Sequence, residues 1–389
     1  MEKSNTNINI PSHLGGKNVT EFLEEQTTTI QVPGKLMIAG EYAILEPETS
    51  GIVLAVNRYI NVKVTPSKEY AILSSLQDTV LKWEYDKKHG VNFKNSETTS
   101  PFIPLAVDIA FQYLKSMDIP FTTFYMEITS QLDDEETGKK YGLGSSAAIV
   151  VGVITAILDY FKALEKTSLE TRFCLCAIAH LKAQGSGSCA DIAACVYGGW
   201  VWFRSFSVAW LLDKIHKGEG IEEIIKSSWQ GLKIIPLTPP ADLYFYAGWT
   251  KEVAKTPNMI NRVLEFKQQN PESYKRFLSM SNDATAKMIQ GFLGQNTNEI
   301  INGIGKNREA LLYLGQESGV EIETKELRTL CKIGDIYGKS KPSGAGGGDC
   351  GIVLTNQEVK AILWTEWEKE GIQPLNLDSE NMHKNRVVQ

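Results

Sequence analysis

Three short segments combine glycine with residues able to handle an anion. The first is Gly142-Leu143-Gly144-Ser145-Ser146-Ala147, directly ahead of an apolar run. Glycine lets the backbone approach an anion closely, and free amides at a helix start present the positive end of its dipole. Ser145 and Ser146 add hydroxyls suited to a phosphate or to a magnesium shell. The same residues would equally make a glycine turn followed by a serine cap. The second segment, Ser343 to Gly351, holds five glycines in nine residues, with Lys339 and Lys341 just upstream. That exceeds what a tight turn requires and favours a backbone in contact with something. The third, Pro33-Gly34-Lys35 through Glu41-Tyr42, sets a lysine and a glutamate in an apolar, glycine-flanked stretch. Taken alone, Lys35 would read as a solvated strand residue.

Other chemistries find less support. No G-x-x-x-x-G-K-[ST] occurs, which excludes a Walker-type loop. The dinucleotide fingerprint is matched at Gly346, Gly348 and Gly351, but ahead of a strand where it needs a helix. Its second match, Gly142, Gly144 and Ala147, is separated from the preceding strand by the charged residues Asp133 to Lys140. Asp191 follows a Gly-Ser loop and could act on a substrate. Ser188-Cys189-Ala190-Asp191 also fits a capping box, in which serine and aspartate satisfy two orphan amides. No histidine accompanies a glycine-elbow serine. The six cysteines form no C-x-x-C pair and the five histidines do not cluster with them. Zinc is therefore not expected, and the thiols read as reduced core residues.

The elements around these segments follow from periodicity. Thr29 to Val32 reads as a short strand stopped by Pro33-Gly34, Gly51 to Thr65 as a strand, and Trp83 to Phe93 as a hairpin. Helices are expected over Pro101 to Ser116, from Ser145 through Leu158, and over Ser168 to Lys182, with a strand at Phe121 to Ser130. Asp133 to Glu136 reads as an acidic surface stretch. Prolines and Gly231 within Ile221 to Pro240 mark a domain boundary. Beyond it come a strand at Ala241 to Trp249 and helices over Ser273 to Phe292, Asn298 to Leu314 and Lys325 to Tyr337. A last helix, Gln357 to Glu370, ends at Gly371. The expected division is a flexible leader at 1–28, an N-terminal domain at 29–231 and a C-terminal domain at 232–389, together α+β.

Composition narrows the partners. The 389 residues are 42% apolar and 22% charged, with 40 Lys plus Arg against 46 Asp plus Glu, a net charge of -6. That is an ordinary globular balance with no basic field for nucleic acid, although a local patch could hold a small anion. The longest apolar run, Ala147 to Leu158, is shorter than the roughly 20 residues a membrane helix needs. The first 30 residues show no apolar signal core. A cytoplasmic protein without a membrane partner is expected.

The three segments, in this order and spacing, resemble the motifs of the GHMP kinase superfamily: Pro33 to Leu45, Tyr141 to Ala148 and Ser343 to Val353. Within it, the likeness is to the phosphomevalonate kinase branch. Mevalonate kinases typically carry histidine after the glutamate of the first motif, where this chain has Tyr42. Gly248-Trp249-Thr250-Lys251 and the Gly346 to Gly351 ending also look like that branch. The resemblance implies a two-domain fold with its active site in the interdomain cleft. It implies transfer of the γ-phosphoryl of ATP, with Mg2+, to 5-phosphomevalonate. Carried over residue by residue, Lys35 and Asp191 are catalytic, and Gly142, Leu143, Gly144, Ser145, Ser146 and Ala147 hold the nucleotide. Ser146 is the magnesium ligand, and Ser343, Gly344, Ala345, Gly346 and Lys251 bind substrate. Lys341 and Lys139 are further candidate cations by proximity to these motifs. Ala190 stands where relatives often have glycine. A mevalonate or other small-alcohol kinase, and a non-catalytic sensor on the same scaffold, are the alternatives; Lys35, Ser146 and Asp191 together disfavour the sensor.

Overall fold

A computed structural model describes residues 27–75, 77–86, 90–94, 100–254 and 256–379. Most of the expected leader lies outside these residues. The first half contributes β1 (Thr28–Ala39), β2 (Ser50–Pro66), β3 (Tyr70–Ser74), β4 (Gln77–Asp86), β5 (Gly90–Phe93) and α1 (Phe102–Ser116). It continues with β6 (Phe124–Ser130), α2 (Ser145–Tyr160), α3 (Leu169–Gln184), α4 (Ala190–Tyr197), β7 (Trp200–Arg204), α5 (Val208–His216), α6 (Ile221–Lys226) and β8 (Lys233–Leu237). These eight strands form one sheet in the order β5-β4-β3-β6-β2-β7-β8, with β1 paired to β2.

The long β2 organises that sheet. From Ile60 its side chains alternate: Ile60, Val62 and Val64 are buried while Lys63 is exposed, as one covered face dictates. Nearer its start, Ile52 to Val56 are all buried. There the strand lies between β1 and β7, and neither face reaches water. Helix α2 is likewise apolar all round, with Ala147 through Leu158 buried, as suits a central helix.

Two expectations need correction. Pro33-Gly34 does not stop the first strand. The register against β2 slips between Pro33 and Gly34, a bulge that accommodates a residue with no amide to give the ladder. The division at 231/232 also falls too early: β8, beyond it, pairs with β7 as an edge strand. An edge tolerates Pro236, so proline marked the end of a sheet rather than the end of a domain.

The second half contains β9 (Tyr244–Trp249), α7 (Thr256–Gln269), α8 (Pro271–Leu293), α9 (Thr297–Ser318), α10 (Lys325–Gly334), β10 (Lys339–Pro342), β11 (Cys350–Thr355), α11 (Lys360–Lys369) and β12 (Gln373–Leu375). The strands pair antiparallel in the order β10-β11-β9-β12. Helix α7 was not expected, though Met259, Val263 and Phe266 are its buried face at helical spacing. One apolar core runs through both halves: Trp200 of β7 meets Phe292 of α8 at 5.2 Å between ring centroids. All six cysteines are buried and free.

Candidate active site

The cleft is built where β1 passes the start of α2. Gly144 caps α2 in a left-handed conformation, φ 79°, and the side chain of Lys35 lies against it. A Cβ on Gly144 would stand 2.8 Å from Lys35 Cε, so the lysine runs where no other residue type would leave room. The Lys35 amide donates to the Leu143 carbonyl at 2.8 Å, and its ammonium approaches the Gly142 carbonyl at 3.5 Å. Among the described residues Lys35 forms no ion pair. The amides of Gly142, Leu143, Gly144, Ser145, Ser146 and Ala147 also find no acceptor among them, whereas Ala148 already donates to Gly144. A run of unused amides at the positive end of a 16-residue helix is a cradle for an anion.

Lys35, Gly142, Ser188, Asp191, Ser343, Gly344, Ala345 and Asp349 line one cavity of about 210 Å³. Asp191 lies in the first turn of α4, but the capping box is not formed. The N-cap is Cys189, in a left-handed conformation with no side-chain capping bond. Ser188 accepts instead from Ala190, and Asp191 Oδ1 accepts at 2.9 Å from Ile192, its own neighbour. Asp191 is thus half-buried beside the cavity without the partner a structural cap would give it. Its charge and that of Lys35 both act on Cys195: burial and Asp191 push the thiol well above its ordinary value, and Lys35 draws it back.

Asp349 is a member of the site that periodicity did not single out. Its β-carbon and carboxylate occupy the space beside Gly142, where a Cβ would come within 2.6 Å. Burial raises its pKa above the usual carboxylate value, held back by the Ala254 amide and by Lys35 and Lys140. The glycine at 142 was the legible trace of this contact. His180 was also missed. It is 2% exposed, lines the cavity, stacks on Phe102, and brings Nε2 to 3.5 Å from Ser146 Oγ.

The Ser343 loop behaves differently. Ser343 Oγ donates to the Met37 carbonyl and accepts from the Met37 amide at 3.0 and 3.1 Å, so it ties the loop to β1. Tyr42 Oη donates to the Ala345 carbonyl at 2.6 Å. Gly346 is turned toward the Ile322 carbonyl and does not line the cavity. Lys341 is not free for a ligand phosphate. It is fully buried and forms an ion pair with Glu41, while also donating to the Pro342 carbonyl at 2.6 Å. Burial pushes the Glu41 carboxyl up and the Lys341 amine down, each against the pull of the other charge. Lys251 is exposed after β9, outside the cavity lining, and its carbonyl accepts from Lys139. The acidic stretch is not wholly surface either: Asp134 is buried and accepts from Thr137 and from Tyr141 Oη.

Known proteins match this arrangement at both ends. Residues 105–199 fit the N-terminal domain of the GHMP kinases and residues 288–373 their C-terminal domain. A solved protein of Listeria innocua, Lin0012, is 34% identical, with a TM-score of 0.86 over 93% of this chain and 98% of its own. The phosphomevalonate kinase of Streptococcus pneumoniae, solved with phosphomevalonate and AMPPNP, is 27% identical, with a TM-score of 0.77 over 90% of this chain and 99% of its own. The phosphomevalonate kinase of Streptomyces sp. (strain CL190) is 28% identical over 91% of this chain and 97% of its own. With an anion cradle at α2, an unpaired lysine above it, and both halves matched, this chain belongs to the GHMP kinase family.

Proposed function

We propose that this chain is a phosphomevalonate kinase, moving the γ-phosphoryl of ATP onto the phosphate of 5-phosphomevalonate to give 5-diphosphomevalonate and ADP. The observation that carries the kinase reading is Lys35, without an ion pair among the described residues, lying against the start of α2 in a cavity that Asp191 also lines. The choice of acceptor rests on the relatives, one of which was solved with phosphomevalonate in place.

Phosphoryl transfer asks for positioning and charge neutralisation more than for covalent chemistry. The amides at the start of α2 hold nucleotide phosphates, and Lys35 neutralises the oxygens that meet between donor and acceptor. The acceptor is itself a phosphate, largely deprotonated near neutral pH. Asp191 therefore orients Lys35 and the acceptor rather than removing a proton. Ser343, Gly344 and Ala345 form the wall facing it, fixed to β1 through Met37 and to Tyr42.

Magnesium fits the donors present. Among the described residues no group of three or more acidic, histidine or cysteine side chains could hold a metal alone. Mg2+ ordinarily takes one or two protein oxygens and completes its shell with phosphates and water. Ser146 itself is outside the cavity lining but lies at the helix start, with Oγ 3.5 Å from His180, which does line it; together with the Asp191 carboxylate it would hold the ion. When bound it supplies positive charge to the phosphate oxygens.

A coupled ADP-release assay decides the substrate. Turnover is expected with 5-phosphomevalonate and not with mevalonate; turnover on mevalonate alone would replace this reading with a small-alcohol kinase. No ADP release with either, alongside tight ATP binding, would favour the sensor.

A further inference from the structure

Away from the cleft, α8, α9 and β10 border a hollow of about 360 Å³ lined by Lys287, Lys306, Lys339 and Arg308, with Glu309 and Asp335 as its acids. Four cations to two acids reverses the balance of a chain whose net charge is -6. Neither acid forms an ion pair with the lysines among the described residues. Asp335 Oδ1 accepts from the Ser340 amide and hydroxyl at 3.0 and 2.6 Å, and its Oδ2 from Arg308 at 2.6 Å. Arg308 is held in turn by Glu323 through two bonds of 2.8 Å. Lys287, Lys306 and Lys339 form no ion pair among the described residues. Elsewhere on the surface, Lys82, Lys214 and Lys226 each lie within 3 Å of a carboxylate. The Lys339 stem runs along α9 beside Gly305, where a Cβ would stand in ordinary contact, 3.4 Å from Lys339 Cδ.

We propose that this hollow binds a small phosphate-bearing anion, at a site separate from the cleft. Ammonium groups that outnumber the carboxylates around them repel one another, and a multivalent anion among them removes that repulsion. Lysine suits a tetrahedral phosphate as a movable point charge, without the planar fork that arginine would impose. The site adjoins the cleft through β10: Lys339 and Ser340 line the hollow, and the next residue, Lys341, pairs with Glu41 at the cavity wall.

The proposal is tested by calorimetric titration of the full chain with inorganic pyrophosphate at low ionic strength, where surface charge is least screened. The parent, Lys35→Met and the double variant Lys306→Gln/Lys339→Gln are compared. Lys35→Met should keep a pyrophosphate site outside the cleft. The double variant should weaken that site by about tenfold, the effect of losing roughly 1.4 kcal/mol, with thermal midpoint and ADP-release rate unchanged. ADP in place of pyrophosphate, with both anions also titrated into the triple variant Lys35→Met/Lys306→Gln/Lys339→Gln, shows whether the anion is carried on a nucleotide or taken free; only binding that the two glutamine substitutions weaken upholds the site. Absence of binding to Lys35→Met by both, or equal affinity in Lys35→Met and the triple variant, overturns it. Neither outcome depends on which acceptor the cleft uses.

Discussion

The two glycine loops at the cleft look alike in composition and do opposite things. Among the described residues, the amides from Gly142 to Ala147 find no acceptor and the adjoining lysine, Lys35, forms no ion pair. In the loop from Ser343 to Asp349, Ser343 donates to Cys350, Gly347 to Ile322 and Asp349 to Glu252, and the nearby lysine is locked to Glu41. The difference lies in the element that each loop opens. The first opens a helix, whose initial amides cannot be satisfied by the helix itself. The second opens a strand, and its Ser343, Gly347 and Asp349 amides are taken up by neighbours. In the proposed function one loop therefore meets a ligand, while the other braces the two halves and offers a wall.

The strongest test of that contrast exchanges the lysines. Lys341→Met leaves Glu41 as a buried charge with no counter-ion, and such a loss costs about 3–5 kcal/mol. Thermal melting should show a large drop, mostly recovered in Glu41→Gln/Lys341→Met. A single variant that melts like the parent would mean that the second loop is not a brace. Lys35→Met and Asp191→Ala should do the reverse, lowering kcat by roughly 10² or more with melting little changed. If Asp191→Ala lost stability and kept its rate, Asp191 would be structural after all.

Glycine substitutions sharpen the comparison at a smaller scale. Gly142 and Gly344 both have positive φ, 81° and 77°. At Gly142 an added Cβ meets Asp349 at 2.6 Å, while at Gly344 nothing lies within 4 Å. Gly344→Ala should therefore show only the backbone cost of about 1–2 kcal/mol. Gly142→Ala adds a collision to that cost and should melt lower, with a raised KM for ATP. Equal melting of the two would mean that Asp349 does not press on Gly142 in solution.

How much of this was legible depends on the same physics. Burial on one face imposed the period that marked the second part of β2 and the α8–α9 pair, whereas α2 and the start of β2 were marked by unbroken apolar runs buried all round. The glycine-serine start of α2 was legible as special, but glycine and serine before an apolar helix serve a turn and a cap equally well, and only the likeness to a known motif favoured a phosphate there. The fates of Lys341 and Asp191 were not. Whether a lysine faces a ligand or a buried glutamate 300 positions away is set by tertiary packing. Whether a serine caps a helix depends on a left-handed Cys189, which composition does not announce. Pro236 misled for a related reason, since proline on an edge strand and proline in a linker read alike until pairing is known.

The smallest expected effect concerns Asp349, the point where the two loops touch. Its raised folded pKa means that the unfolded chain gives up the proton first as pH rises. From the ordinary carboxylate value of about 3.9 upward, the folded state then holds more protons, and stability falls with pH until the folded pKa is passed. Asp349→Asn keeps an oxygen for the Ala254 amide and removes that slope. Its melting temperature should gain on the parent as pH rises from about 4, then run parallel to it once Asp349 is ionised. A variant that instead loses ground with rising pH would show that attraction to Lys35 and Lys140 outweighs burial. The two loops would then be joined by an ion pair, and Lys35 would be less free than its place above the α2 amides requires.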